Sequence, residues 1–351
     1  MNEKELKLRF PSDHIISDDI GGVSVMVYVE KFFLDEVIKD ASHIPHPAFI
    51  VGGKEIDGIY ISKFQNITEN GRAYSLPNVD PRVNIDFDEA VEACRAKGEG
   101  FHIMSAAEWG AIALLCQKNG WLPFGNNEMG KDVREQDTVA RISYYDAERS
   151  ICRTATGTGP VEWSHNRRED GIYDLNANVW EWNGGFRLVF GELQILENVR
   201  TPDKGLQNAE SSAWRAIDGT SGELLIPDGR GTTKNSVKLD FIDGKWTYVS
   251  GDITNSDTHF RYCELDRVSA HPSICKKAKE LLCSLAILPC SCEYSYPEVA
   301  LYANNGKADR IAFRGGRFGQ GLNAGLFKTC LDDPRTYSGE AVGFRCAYYK
   351  T

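Results

Sequence analysis

Asp174, Asn176, Asn178 and Glu181 place four oxygen-bearing side chains in the segment Gly171-Ile-Tyr-Asp-Leu-Asn-Ala-Asn-Val-Trp-Glu-Trp182. Oxygen donors at this spacing, with backbone carbonyls between them, suit a hard cation such as calcium. The same residues have a plainer use, with Asp174 and Asn176 capping turns and Glu181 a hydrogen-bonded buried acid. Both readings stand at this point. Trp180 and Trp182, two apart, share one face if this segment is a strand.

Little else in the chain has the spacing of a reaction centre. No G-x-S-x-G, H-E-x-x-H or phosphate-binding loop occurs. Gly315, Gly316, Gly319 and Gly321 do not lie between a strand and a helix, so they read as permitting tight turns. The seven histidines do not cluster, and His43 and His46 merely flank Pro45. The ten cysteines are scattered. Cys290-Ser291-Cys292 is too close for a relaxed disulfide and has no second pair at zinc-ribbon spacing. They read as ordinary reduced thiols.

The elements that must position these residues have local signals. Asp86 and Glu89 form a capping-box pattern, followed by Phe87, Ala90, Val91 and Cys94 on one helical face and Gly98 as a stop. Ser105 and Glu108 repeat the design, with Trp109, Ile112, Ala113 and Cys116 inward and Gly120 as the stop. Helical signals return only around 273–288. Val237, Leu239 and Phe241 alternate, Asp243-Gly244 reads as a hairpin turn, and Trp246 and Tyr248 resume the alternation. Residues 191–266 read as an inserted set of hairpins, and the chain closes with an alternating strand over 342–348. Residues 1–46, with a strand at 23–29 and a short helix at 33–38, end at Pro45 and Pro47. They read either as an attachment or oligomerisation segment, which would make a homo-oligomer, or as strands completing the main fold. The whole is an α+β domain over 47–351 with much loop, and long ordered loops on a rigid scaffold usually carry function.

Bulk properties narrow the partners. The chain has 351 residues, 42% of them hydrophobic, which is enough for a substantial core. A formal net charge of −10 argues against nucleic acid, because a phosphate backbone selects basic surfaces. No apolar run is long enough for a bilayer-spanning helix, and the start, Met1-Asn2-Glu3-Lys4-Glu5, lacks the apolar core of a signal peptide. The expectation is a chain made in the cytosol without membrane insertion.

Gly171–Trp182 resembles the signature "G-L-Y-D-x-x-G-N-V-W-E-W" of the formylglycine-generating-enzyme family, a variant of the C-type lectin fold. Gly58-Ile-Tyr-Ile-Ser-Lys-Phe64, the FHIMSAAEW run from Phe101 to Trp109, Phe313-Arg-Gly-Gly316 and Val342-Gly-Phe-Arg-Cys346 resemble further segments of that family in order. The resemblance implies a C-type-lectin-like fold of the formylglycine-generating-enzyme type. It also implies a structural calcium held by Asp174, Glu181 and the carbonyls of Ala177 and Val179, with no other cofactor. The family's oxidase uses two cysteines shortly after R-G-G. Here Arg317-Phe-Gly-Gln-Gly-Leu-Asn-Ala-Gly325 contains none, and thiolate chemistry needs the sulfur. An oxidase is therefore the disfavoured alternative.

Arg314-Gly-Gly316, Asn323-Ala-Gly-Leu-Phe327 and Ser338 to Arg345 are similar to the variable region of target proteins of diversity-generating retroelements, many of them phage tail receptor-binding proteins. This resemblance implies a non-catalytic protein whose region 310–346 displays a diversified ligand face. The positions implied to vary are Phe318, Gly319, Gln320, Leu322, Asn323, Lys328, Cys330, Tyr337, Gly339, Glu340 and Ala341. Ala324, Gly325, Leu326, Phe327, Leu331, Gly343 and Phe344 would form the frame. The implied partner is a bacterial surface protein or glycan, and the implied location a virion, otherwise the cytoplasm. A calcium-dependent sugar-binding lectin is a further alternative, although neither Glu-Pro-Asn nor Gln-Pro-Asp occurs. On these expectations Phe318, Gln320, Leu322, Lys328, Tyr337 and Glu340 lie exposed on one surface, with Leu326, Phe327 and Phe344 beneath.

Overall fold

The computed structural model describes residues 2–135, 137–197, 205–290 and 299–350. Ser291 and Cys292 of the tight cysteine pair, and residues 198–204 of the hairpin region, lie outside the described residues.

Among the described residues four α-helices form, each where a side chain satisfies one of the first free N–H groups. The charged start conceals the first. Asn2 accepts from the Glu5 N–H and Glu5 accepts from the Asn2 N–H, opening α1 (Glu3–Arg9). Asp86 and Glu89 make the same exchange at 2.9 and 3.2 Å to open α2 (Phe87–Arg95). Its buried face is Phe87, Ala90, Ala93 and Cys94, with Val91 half-buried at the margin. Ser105 and Glu108 open α3 (Ala106–Lys118). Trp109, Ile112, Ala113 and Cys116 are buried, and so are Gly110, Ala111 and Leu114, because α3 is covered on several sides. Gly110 has a steric reason: a Cβ there would stand 2.0 Å from the Ser284 carbonyl oxygen at the end of α4 (Lys276–Ser284). The expected short helix at 33–38 is a single 3-10 turn, Leu34–Glu36.

The helices pack on two sheets. A five-stranded sheet runs in the order His14–Ser17, Val23–Glu30, Gly58–Ser62, Cys346–Tyr348, Phe101–Ile103. The N-terminal strands therefore belong to the sheet that the C-terminal strand closes. Phe101–Ile103, between α2 and α3, pairs with Cys346–Tyr348, so both helices share one body with the chain's end.

The second sheet has twelve strands. Trp180–Val189 lies near its middle, antiparallel to Arg310–Gly315, which continues through Gly325–Leu331 and Ala300–Ala303 to Arg261–Glu264 at one edge. On the other side Trp180–Val189 makes a hairpin with Glu192–Leu196, extended by Lys238–Ile242 and Lys245–Val249. The 191–266 region thus enlarges the sheet rather than standing apart from it. Asp243 and Gly244 turn its clearest hairpin with φ of 50° and 74°, the left-handed pair that matches strand twist.

The closing strand divides. Val342–Phe344 runs parallel to Trp180–Trp182 in the large sheet, whereas Cys346–Tyr348 joins the small one. Arg345 stands at the crossing, fully buried. Among the described residues, no helix is long and apolar enough to cross a membrane.

Candidate functional site

The Gly171–Trp182 segment and the C-terminal strands meet at two places, one sealed and one open. In the sealed one, Asp174, Ala177 and Asn178 adopt left-handed φ of 61°, 64° and 59°. This winding gathers the carbonyls of Asp174, Ala177 and Val179 around the Gln65 side chain. Gln65 Nε2 donates toward them at 3.2, 3.3 and 3.0 Å, and toward Glu181 Oε1 at 3.0 Å. Asn178 Nδ2 completes the clasp with a 2.9 Å bond to Gln65 Oε1.

Glu181 is also held in two bonds by Arg345, Nη2 to Oε1 at 2.8 Å and Nε to Oε2 at 2.9 Å. The remaining Arg345 donors reach the carbonyls of Ser62, Lys63 and Tyr173 at 2.8, 3.1 and 2.9 Å. All five guanidinium N–H groups are thereby satisfied.

The expected calcium ligands Asp174, Ala177, Val179 and Glu181 therefore converge on an amide nitrogen, and these residues do not fit a cation. Calcium needs oxygens at about 2.3–2.6 Å. Here the centre is a hydrogen-bond donor, the one carboxylate is matched by Arg345, and the Asp174 carboxyl turns away to accept from the Gly157 N–H at 2.9 Å. Among the described residues, no three His, Cys, Asp or Glu gather to hold a metal. Glu181 is the hydrogen-bonded buried acid of the plainer reading, whereas Asp174 and Asn176 cap no local turn: Asp174 accepts from the distant Gly157 N–H, and Asn176 Nδ2 donates to the Pro123 carbonyl at 2.9 Å. EDTA is expected to leave the melting temperature unchanged; a fall of several degrees, restored by calcium, would overturn this assignment.

Asp174 carries a further consequence. Burial, opposed mainly by the Gly157 hydrogen bond, pushes its carboxyl up to about 6, and its Oδ1 has no partner. The folded state thus binds this proton more tightly than the unfolded state. Stability from this group is present at low pH and is lost as pH rises from about 4 to about 6. Asp174→Asn keeps an oxygen for Gly157 and removes the charge. It is expected to stabilise by about 1–3 kcal/mol at pH 7.5 and by little at pH 4. Denaturant titrations at the two pH values check this, and equal or lower stability at pH 7.5 would refute it.

The open place is a cleft of about 220 Å³ on the other side of the Trp180–Val189 strand. Trp180, Phe313 and Tyr302 form its aromatic floor. Phe313 meets Trp180 edge-on at 5.1 Å and Trp182 at 4.9 Å, so the paired tryptophans do share a face. Gln320, Lys328, Cys330, Tyr337 and Ala341, all among the positions implied to vary, line the same cleft. Arg317, Asp333 and Val342 complete it.

Of the six side chains expected to lie exposed, two do, two are half-buried and two are buried. Tyr337 and Leu322 are exposed at 39% and 38%, and Gln320, Asn323, Gly339, Glu340 and Ala341 are half-buried. Gly319 is exposed. Phe318, however, is buried, because its N–H donates to the Asn178 carbonyl at 3.2 Å and folds the loop onto the Gly171–Trp182 segment. Lys328 is buried too, because Gly325–Leu331 is an inner strand of the large sheet and its alternation turns Lys328 and Cys330 toward the aromatic floor. Leu326, Phe327 and Phe344 are buried as expected. Glu340 pairs with Arg149 at the rim.

Lys328 Nζ lies 4.7 Å from the Tyr302 ring centre and 5.6 Å from that of Trp180, and bonds to Asn323 Oδ1. Burial, reinforced by the Arg317 charge, pushes its amine down to about 7. Asp333 is pushed up to about 6, first by burial and then by Asp332. Burial drives the Cys330 thiol far above its usual range. Sequence reasoning missed Tyr302 and Asp333 as parts of the site. Tyr302 belongs to a strand whose pairing with Gly325–Leu331 has no local signal.

No family model matches the chain, and no curated protein matches it. Among solved structures, PvdO from Pseudomonas aeruginosa aligns with 96% of this chain and 98% of its own, at 12% sequence identity and a TM-score of 0.39.

Proposed function

We propose that this chain is a non-catalytic binding protein with a C-type-lectin-like fold of the formylglycine-generating-enzyme type. Its region 310–346 presents a ligand face, and its partner is a bacterial surface protein or glycan met during phage attachment. One observation carries this reading. Five positions that the retroelement resemblance marks as variable converge on one open cleft, while Leu326, Phe327 and Phe344 lie buried in the frame. A recognition face wants side chains of mixed chemistry on a frame that does not depend on them. The Cys330 thiol, buried and held protonated, is unsuited to act as a thiolate nucleophile, which weighs against the oxidase alternative.

Labelled protein applied to a panel of bacterial strains tests the proposal. The triple variant Gln320→Ala, Leu322→Ala, Tyr337→Ala is expected to lose at least ~10-fold in binding to any strain the natural chain labels, about 1.4 kcal/mol or more. Its melting temperature should stay nearly unchanged. Equal labelling by the variant, or no labelled strain at all, would sink the reading. A near-copy of the DNA encoding the C-terminal region, differing at adenines and lying beside a reverse-transcriptase gene, is the expected genomic counterpart.

A further inference from the structure

The cleft is cationic on an acidic protein. The chain carries a net charge of −10, yet Lys328 and Arg317 both line the cleft, the charge of one acting on the other, without a carboxylate ion-pair partner among the described residues. Lys328 Nζ has an amide oxygen and two ring faces, and the Arg317 guanidinium has the Phe318 carbonyl at 3.1 Å. Two like charges held close, one of them buried, are stabilised by an anion placed between them. Asp333 also lines the cleft, but its carboxyl is pushed up first by burial and then by Asp332, with Arg310 opposing and no contribution from the lysine.

Flat aromatic surface flanks this charge on two sides. Tyr337 is exposed and stacks on Phe313 of the floor, with ring centres 6.2 Å apart and planes 29° apart. Tyr262, on the edge strand Arg261–Glu264, is exposed at 52% and stacks on Tyr302 at 5.1 Å and 20°. Phe260, also exposed, stands beside Tyr302 at 6.2 Å. Each outward ring is thus fixed from behind, so little ordering cost remains when a ligand lies on it. The volume of about 220 Å³ is below the ~300–1,000 Å³ of a site that swallows a whole drug-sized ligand. One ring enters, and the rest of the ligand runs over the surface.

Resting on the binding reading above, we infer that the ligand is an acidic glycan. One carboxylate-bearing sugar sits in the cleft with its carboxylate on Lys328 and Arg317, and neighbouring sugars lie across Tyr262 and Phe260. The C–H faces of a pyranose match the fixed rings, and Gln320, Asn323 and the Tyr337 hydroxyl offer donors and acceptors to its hydroxyls. An acidic peptide would satisfy the charge but makes no comparable use of flat rings held on both sides.

Titration supports the same sign. An anion is favoured with Lys328 protonated and Asp333 neutral, and these states are lost as pH rises through about 7 and about 6. Cys330 and the Tyr302 and Tyr337 phenols, all raised by burial, stay neutral across this range. Affinity should therefore fall between pH 5.5 and 8.

An array of oligosaccharides bearing uronic or sialic acid, their carboxyl-reduced counterparts and oligo-glutamate tests the inference. At least one acidic glycan is expected to bind at pH 6. Its reduced form should bind at least ~10-fold more weakly and oligo-glutamate not at all, in line with charged partners being worth more than neutral ones. Lys328→Met should remove the binding and its pH dependence while the chain still melts cooperatively. Tyr262→Ala, at an exposed ring outside the cleft, should weaken it several-fold. Failure of every acidic glycan, equal binding of reduced glycans, or binding of oligo-glutamate would overturn the inference. The strain-labelling experiment separates the two ideas: labelling by the natural chain that survives Lys328→Met leaves the binding reading standing and removes the glycan.

Discussion

Arg345→Met is expected to destabilise the protein by about 3–5 kcal/mol, the cost of leaving a buried charge uncompensated. Arg345 and Glu181 are exposed by 0% and 1%, and their two bonds tie the crossing between the sheets to the Trp180–Val189 strand. Loss of the guanidinium also strips donors from the carbonyls of Ser62, Lys63 and Tyr173. Against a total stability of about 5–15 kcal/mol, the variant should show a much lower urea midpoint or accumulate unfolded. Glu181→Met should be similarly severe, because it strands the cation and removes an acceptor from Gln65. The double variant removes both charges, so its loss should be smaller than the sum of the two by at least ~1–3 kcal/mol. Additive losses, or an Arg345→Met midpoint close to that of the natural chain, would show that the pair is not what joins the sheets.

This node also shows where sequence reading stops. The helix starts were legible because a capping box is written within four residues, as at Asp86–Glu89 and Ser105–Glu108. The turn at Asp243-Gly244 was legible for the same reason. The box at Asn2 and Glu5 was equally local but hidden in a charge run. What the sequence does not carry is which distant strand comes alongside. Gln65 supplies the centre of the clasp on the Gly171–Trp182 segment from far upstream, so an oxygen-rich segment read alone suggested a cation where the fold places an amide. The alternation through 342–348 continues unbroken in the sequence although the strand changes sheets at Arg345. Lys328 reads as a surface residue because its companions Tyr302 and Trp180 arrive from other strands. Gln320, Lys328, Cys330, Tyr337 and Ala341 line one cleft, and the depth of each within it depends on sheet topology, which the local sequence does not carry.

Depth decides the outcome of truncating the aromatic residues of the proposed ligand face and its frame. Phe327→Ala is expected to cost about 3–5 kcal/mol, since the ring is 2% exposed and lies in the main core. Phe318→Ala belongs in the same class, despite its place among the positions implied to vary. Its ring is also 2% exposed and its loop is tied to Asn178, so its removal should cost about 2–4 kcal/mol and disturb Arg317, which lies 5.3 Å from the ring. Tyr337→Ala should differ in kind. That ring is 39% exposed and its main contact is the stack on Phe313, so about 0.5–1 kcal/mol of stability is at stake. Its loss should instead appear as weaker ligand binding through faster dissociation, the behaviour of an aromatic anchor at an interface. Urea midpoints set beside dissociation rates for the three variants separate the frame from the face. A Tyr337→Ala variant that unfolds as readily as Phe327→Ala, or a Phe327→Ala variant as stable as the natural chain, would mean that the division between frame and face has been drawn in the wrong place.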